Sequence, residues 1–589
     1  MKTTNKIALV IAVALTMFSA LGQSYTWNAG SGNLNSTDWV GGTPPENGAA
    51  WVFSGVSKLV TNNFGPDWTN SGISFAAGAG ASTLASGSLT LIGNIVNNSS
   101  VTQTVSTSLY VPGSVTFSNG IGSTASSYLV VTGSLNGDGT ITYNSTNGGS
   151  RLELRGNNSE FTGRMNFNGG RVQLSHSNAV SKNADYYVNI PNTSGGAGVY
   201  LAQINRFVYN FGSLHGTNFN SIISANSANT TNVLSIGWLN TDSAFAGQIN
   251  SNNVGATGSV NIVKVGTGTF TLYGTNTYNG TTTVSNGVLQ LGNGGTTGRM
   301  TNTIVIVDGT GIFAVNKSSS VVQGTDFKGD GITGTGGFGQ YGNGTTTLNV
   351  ANTYTGVTDV RSGTLRLAST GSINNSSELK VNSVLDATAV TGFTVGSGQT
   401  VSGSGQLRGN VSMYGTLSPG NSPGTLNLVG NQTWYSGGNY NWQVYNATGV
   451  SGTGYDTVNV TGTLDLSNLT VDGFNINLWS LNGVNPDSNG EAINFDNTVD
   501  QSWTLLTASG GINGFDSNYF KVNLGATNGT AGFVNEILGS SFFVEQNGNN
   551  LLLNYRYAPV PEPNPYSYFL FSLGGLALLI VKNRKEYEQ

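Results

Sequence analysis

Residues 270–291 read FTLYGTNTYNGTTTVSNGVLQL, and two other stretches align with them: LELRGNNSEFTGRMNFNGGRVQL at 152–174 and TLNVANTYTGVTDVRSGTLRL at 347–367. Each places an aromatic two residues before a glycine: Phe161 and Gly163, Tyr278 and Gly280, Tyr354 and Gly356. A second glycine follows seven residues on, at Gly170, Gly287 and Gly363, and a leucine four later still, at Leu174, Leu291 and Leu367. Period-two alternation around these glycines, as in Leu365 and Leu367, reads as short strands joined by turns that need a positive φ. No helical period competes with it. A unit of about 22 residues cannot bury its own apolar face, so a core arises only when one unit stacks on the next, as in a solenoid. The matched stretches are 117 and 76 residues apart, so no fixed period is visible; fragments at 263–269 and 403–409 read as degenerate coils between them.

Composition agrees with a repetitive β protein. The chain has 589 residues, 86 of them glycine, and only 8% are charged; strands alternating with tight turns produce such a bias. Disorder is the competing reading, and 9 Trp, 23 Tyr and 25 Phe with a net charge of only −5 argue against it. Without cysteine there is no disulfide framework, thiolate metal site or cysteine nucleophile. The small negative charge and the lack of a basic stripe remove the electrostatic term on which nucleic-acid binding depends.

The aligned stretches resemble the autotransporter-associated β-strand repeat, which implies a parallel β-helical surface protein. The resemblance extends outward. Tyr25-Thr26-Trp27-Asn28, Asp38-Trp39, Pro44-Pro45 and Val52-Phe53-Ser54-Gly55 are similar to the tryptophan-rich opening of such proteins. A segment of that kind caps the end of the first coil, where open strand edges invite aggregation. Residues 415–424, GTLSPGNSPG, resemble the SPG-type segment that follows the repeats in this family. The expected fold is all-β: a right-handed parallel β-helix with an N-terminal cap, a C-terminal β module and two short apolar helices at the termini. The expected divisions are a signal peptide over 1–22, a cap over 23–60, the solenoid over 61–430, terminal coils or a closing β module over 431–558 and a sorting tail over 559–589.

Both ends read as routing signals. Lys2 and Lys6 precede the apolar run 7–18, and small residues follow at Ala20 and Gly22, the pattern of a secretory signal cleaved near Gly22-Gln23. A retained membrane helix is the alternative, but twelve residues rise only about 18 Å against a hydrocarbon core of roughly 30 Å. At the other end, Val560-Pro561-Glu562-Pro563 leads into an apolar stretch at 566–581 and the basic residues Lys582, Arg584 and Lys585. This arrangement resembles the PEP-CTERM sorting signal, which implies transient membrane insertion and processing by an exosortase-type membrane protease. The prolines hold the tripeptide extended, and the basic cluster keeps the end of the tail cytoplasmic. A plain membrane anchor is the alternative. With a sorting tail where an autotransporter would carry a membrane barrel, self-transport is not expected.

Chemistry-bearing residues are few. Gly334-Thr335-Gly336-Gly337-Phe338-Gly339 satisfies the GxGxxG spacing, but the glycine-rich sequence after it cannot start the helix a dinucleotide site requires. His176 lies between Ser175 and Ser177, and His215 is the only other histidine; adjacent residues on a strand face opposite ways, so neither serine is placed for proton transfer to His176. Asp326, Lys328 and Asp330 share a strand face, as do Asp496 and Asp500, and β-helical polysaccharide lyases use such clusters. The second pair also offers carboxylate oxygens for calcium, without a complete ligand loop. Trp434, Tyr435, Tyr440, Trp442 and Tyr445 are either a sugar-stacking platform or core. Asn97, Asn279 and Asn446 head glycan-acceptor triplets.

The sequence thus implies an exported surface or matrix structural and adhesive solenoid with no catalytic residues, cofactor or metal, whose partners are secretion machinery and exopolysaccharide or cell-surface glycans. The alternative is a polysaccharide-binding or polysaccharide-cleaving β-helix. A groove where three or more Asp, Lys or Arg from adjacent coils converge would favour that alternative; a bare polar face would favour the spacer.

Overall fold

The aligned stretches fold as their alternation predicts. In the middle one, the strands Thr269–Leu272 and Thr281–Val284 follow one another round a coil, and Val288–Leu291 opens the next coil, stacked on Thr269–Leu272. Each pairs in parallel with the coils before and after: Thr269 lies beside Val288, and Val288 beside Ile312. A parallel ladder satisfies the backbone of one coil with that of the next, so backbone groups that face neither solvent nor side chains still find partners. The coils differ in length. Thr269 to its partner Val288 is 19 residues, whereas Ile312 to its partner Gly337 is 25, which is why no period shows in the sequence.

The protein's structure is a computed structural model that describes residues 23–559 other than 28, 121–126, 192–196, 202–206, 226–229, 252–257 and 485–486. Ala20 and Gly22 of the signal region, the tail residues Val560, Pro561, Glu562, Pro563, Lys582, Arg584 and Lys585, and both expected terminal helices lie outside the described residues. Among the described residues the protein is all-β. Helical elements among the described residues are the short 3₁₀ turns Ser177–Ala179 and Ser517–Tyr519, and among those residues no helix is long and apolar enough to cross a membrane.

The chain divides into two units, Met1–Thr391 and Gly392–Gln589. The first is a parallel β-solenoid. One 11-stranded sheet begins with Ser24–Trp27, Ala50–Phe53 and Thr69–Phe75, and a 10-stranded sheet runs beside it from Gly32–Asn33 to Gln248–Asn250. A third sheet joins from Val208–Phe211 onward, ending at Ile304–Val307. The opening segment belongs to the first coils: Trp27 and Trp51 are fully buried, Trp39 packs edge-on against Trp27 at 5.1 Å, and Trp39 Nε1 donates to the Leu34 carbonyl at 2.8 Å. The second unit also stacks coils in parallel, as in Asn439–Val444 beside Phe474–Val484, and it finishes with an antiparallel hairpin, Ser541–Asn547 and Asn550–Arg556, paired onto Gln501–Ala508.

Stacked registers build the core. Leu152, Val172 and Val199 lie one above another, as do Leu289, Phe313 and Phe338, and all six are buried. Each such side chain contributes about 1.5–3 kcal/mol of hydrophobic free energy. The repeat positions now have physical reasons. Phe161, Tyr278 and Tyr354 are core, and the last two bond Thr282 and Thr358 at 2.7 and 2.6 Å. Leu174, Leu291 and Leu367 are core as well. The second glycine of each repeat sits at φ +68, +63 or +60, while the first packs so close to the previous coil that a Cβ would strike it: Gly163 against Gly139 and Gly356 against Gly336. The first glycine therefore answers to coil spacing, and the second to turn geometry together with coil spacing.

The alignment left one device unnoticed. Asn276 and Asn352, each two residues before its tyrosine, are buried and bridge coils. Asn276 accepts from the Ile249 amide at 3.0 Å and donates to the Arg299 carbonyl at 3.1 Å; Asn352 accepts from the Ile332 amide at 2.8 Å. The shared NTY of residues 276–278 and 352–354 was the signal for it.

Candidate functional site

Asp326 is the sequence candidate that the fold surrounds with opposite charge. It lies beyond the strand Val321–Val322, and its Oδ1 accepts from Arg299 Nε at 3.1 Å and stands 3.5 Å from Lys317 Nζ. Its Oδ2 accepts the Val322 amide at 2.9 Å. Lys317, which follows Ile312–Val315, is buried and donates to the Gly298 carbonyl at 3.1 Å. Three charged groups therefore converge, two of them from residues the sequence reading did not single out. Lys328 and Asp330 are not among them: they pair with each other at 2.8 Å, and Asp326, Lys328 and Asp330 all lie in the turn-and-bend segment after Val321–Val322, not on the shared strand face their spacing suggested.

The triad is occupied internally. Both Asp326 oxygens have donors and the Lys317 ammonium has two acceptors, so neither is a free acid or base at hydrogen-bond reach of a substrate, the geometry general acid–base catalysis needs. Arg299 is different. Its side chain is 48% exposed, only its Nε is engaged, and its remaining amino groups have no partner among the described residues. It opens onto a cleft of about 320 Å³ shared with Phe219, Tyr273, Thr275, Thr297 and Ser319. Phe219 is 47% exposed and meets Tyr273 edge to face, with ring centroids 5.6 Å apart.

The histidines take other roles. His176 Nδ1 accepts the Asn178 amide at 3.1 Å and caps a 3₁₀ turn. His215 Nε2 lies 3.0 Å from Ser213 Oγ, which in turn donates to Asp185 Oδ1 at 2.5 Å. The serine stands between the other two groups, whereas a hydrolytic triad needs the imidazole in the middle, and Ser213 is wholly buried. Burial lowers the His215 pKa, and Arg164 adds to that against the pull of Asp185. His215 stacks on Tyr187 at 4.5 Å as part of the wall.

The remaining candidates divide in the same way. The glycine-rich motif leads into the buried strand Gly337–Gln340, not a helix, which removes the dinucleotide reading. Trp434, Tyr440 and Trp442 are core, so the five aromatics make no platform; Trp434 stacks on Phe474 at 4.3 Å, and Tyr435 stacks on Tyr414 at 4.2 Å. Asp496 accepts from Thr498 N and Oγ1 at 2.9 and 2.6 Å, and these bonds hold its carboxyl below the usual range. Asp500 accepts the Tyr557 amide at 2.8 Å, and among the described residues no cluster of three metal-ligating groups exists. Asn97 is fully buried with its amide committed to two carbonyls, so it cannot receive a glycan; Asn279 is exposed, and Asn446 Oδ1 holds Thr448 and Asn494.

Other buried ionisable groups, Glu153, Lys264 and Asp456 among them, were not singled out by the sequence reading. Glu153 receives Arg155 Nε at 2.6 Å, Arg151 Nη2 at 2.9 Å and Ser175 Oγ at 2.7 Å; burial opposes its ionisation, yet these donors hold its pKa below the usual value. Lys264 donates to the carbonyls of Val265, Gly266 and Asn286 at 2.7–3.2 Å, and burial brings its pKa down to about 8. Asp456, wholly buried, accepts the Gly424 and Gln443 amides at 2.7 and 2.9 Å, and burial raises its pKa well above normal. Each ties turns or coils together from inside.

The Passenger-associated-transport-repeat family matches residues 262–291 and 340–367, which carry two of the three aligned stretches. An 82-residue segment is 38% identical to the Adhesin BmaC autotransporter of Brucella suis biovar 1 (strain 1330). That segment is 14% of this chain and 2% of the adhesin, so the similarity spans a small part of either protein. The chain therefore carries autotransporter-type passenger repeats, each with a closely packed glycine, a glycine turn and a buried aromatic, built into a parallel β-solenoid.

Proposed function

We propose that the protein is an exported, non-enzymatic surface or matrix element in which the solenoid is both spacer and adhesive scaffold. The observation that carries this reading is the set of passenger repeats, a kind matched in a protein named as an adhesin, on a parallel β-solenoid. The self-satisfied carboxylates support the non-enzymatic part, because a polar group already bonded within the fold has no spare capacity for proton transfer. Export begins with the signal ending near Gly22-Gln23, and Pro561-Glu562-Pro563 with Lys582, Arg584 and Lys585 routes the chain through an exosortase-type protease. Its partners outside the cell are exopolysaccharide or cell-surface glycans.

Mass spectrometry of the mature protein from a host that has such a protease tests the routing. The expected chain begins near Gln23 and ends at or near the tripeptide, and replacing all three tripeptide residues with alanine leaves the full tail attached and the protein in the membrane fraction. A wild-type chain that retains Lys582 to Lys585 would end the sorting reading. For the adhesive part, cells displaying the protein are expected to settle on glycan-coated surfaces in greater numbers than cells lacking it; equal numbers count against adhesion.

A further inference from the structure

The geometry points to the cleft beside Arg299 as a binding site for an acidic saccharide, with a uronate carboxylate on the Arg299 guanidinium and the sugar ring against Phe219 and Tyr273. The inference rests on the adhesive reading above and names the ligand class for it. Four observations converge. The cleft, about 320 Å³, lies at the small end of the about 300–1,000 Å³ typical of small-molecule sites, so it admits one or two sugar residues of a longer chain.

Its electrostatics are the second. Arg299 and Lys317 face a single carboxylate, Asp326, leaving one positive charge in excess in a chain whose net charge is −5. Lys317 is buried and spends its protons on Gly298 and Asp326, which turn it into a fixed support for the carboxylate. Asp326 in turn holds Arg299 through Nε, so the guanidinium's outer edge points away from Asp326 with its donors unspent. A planar fork fixed at one edge and open at the other is the geometry that takes a carboxylate through two parallel N–H bonds.

The third is the aromatic pair. Phe219 leaves about half its surface in water and meets Tyr273 edge to face, so the cleft presents a paired aromatic surface. Pyranose rings present C–H faces that pack on such rings. The Tyr273 hydroxyl is already directed to the Gly216 carbonyl at 3.3 Å, so its polar end is anchored in the wall. Fourth, the cleft is also lined by Thr275, Thr297 and Ser319, whose hydroxyls bond no other described residue. A carboxylate, a ring face and hydroxyls are the three recognition elements of a uronic acid unit, and the cleft presents the complement of each.

Titration calorimetry of the full chain with trigalacturonate tests the site, with the carboxyl-reduced trisaccharide and a triglutamate peptide as comparisons. The expected result is binding of the acidic sugar that weakens as salt rises and is at least tenfold weaker for both comparisons. Phe219→Ala, at an exposed ring, is expected to weaken it about tenfold, and Arg299→Gln to abolish the preference for the charged sugar while melting within a few degrees of wild type. Equal binding of the reduced sugar, stronger binding of the peptide, or unchanged binding in both variants overturns the proposal. If the variants leave adhesion of displaying cells intact while wild type adheres, the adhesive reading stands and the cleft is not its site; if wild type neither adheres nor binds, both fall.

Discussion

Replacing Asp456 with alanine is expected to lower the stability of the second unit by about 2–6 kcal/mol, because two buried backbone donors lose their acceptor at about 1–3 kcal/mol each. The amides are those of Gly424, at the end of the SPG-type segment, and Gln443, within the strand Asn439–Val444. Neither has water to turn to, since Asp456 is wholly buried. Hydrogen exchange at these two amides should rise by orders of magnitude in the variant, alongside a lowered urea midpoint for this unit. Exchange and midpoint within error of wild type would show that the loop closes without the carboxyl. The same group gives a pH signature. Burial raises its native pKa well above the unfolded value, so the native state binds the proton more tightly. Its contribution is then fully present below the unfolded carboxyl pKa and is lost as pH rises through the native pKa. Stability of this unit should therefore fall with rising pH in that window more steeply in wild type than in Asp456→Asn, which does not titrate.

What the sequence disclosed and what it hid follow from the range of the interactions. The repeats were legible because a coil's demands are local: an alternating strand, a turn of positive φ at Gly287 or Gly363, an aromatic at Tyr278 or Tyr354 for the core. Trp434 and Trp442 were legible only as aromatics, since whether a ring faces core or solvent depends on the coil above it. The charged cluster was half legible. Asp326 stood out with Lys328 and Asp330 by strand spacing, but the groups that face it, Arg299 and Lys317, are 27 and 9 residues away in sequence and are brought to it by coil stacking. A strand-face argument works along one strand, whereas a solenoid's sites form across strands. Asp456 shows the same limit: its donors at Gly424 and Gln443 belong to other turns of the chain.

Gly287→Ala is expected to destabilise the first unit by about 2–5 kcal/mol, the sum of two separable effects. The residue sits at φ +63, a left-handed conformation that disfavours an alanine by roughly 1–2 kcal/mol. Its missing Cβ also faces the carbonyl oxygens of Gly266, Gly268 and Thr267 at 2.5, 2.6 and 2.7 Å, all backbone atoms of the preceding coil that cannot swing aside. Forcing a methyl group into that space adds about 1–3 kcal/mol of overpacking strain. Gly55, in the same unit at φ +77 with nothing within 4 Å of its would-be Cβ, isolates the first effect, so Gly55→Ala should lose only about 1–2 kcal/mol. Denaturant midpoints of the two variants measure the difference. If they fall equally, the turn conformation alone explains the repeat glycine and coil spacing tolerates a methyl group. A larger fall for Gly287→Ala means that the glycine is required by how closely one coil lies on the next, and it predicts that a β-branched residue there, which adds bulk at the same contact, is worse still. The repeat is then defined by its stacking distance as much as by its turn. That accounts for the recurrence of the same glycine at Gly170, Gly287 and Gly363 in a chain whose coils are as different in length as 19 and 25 residues.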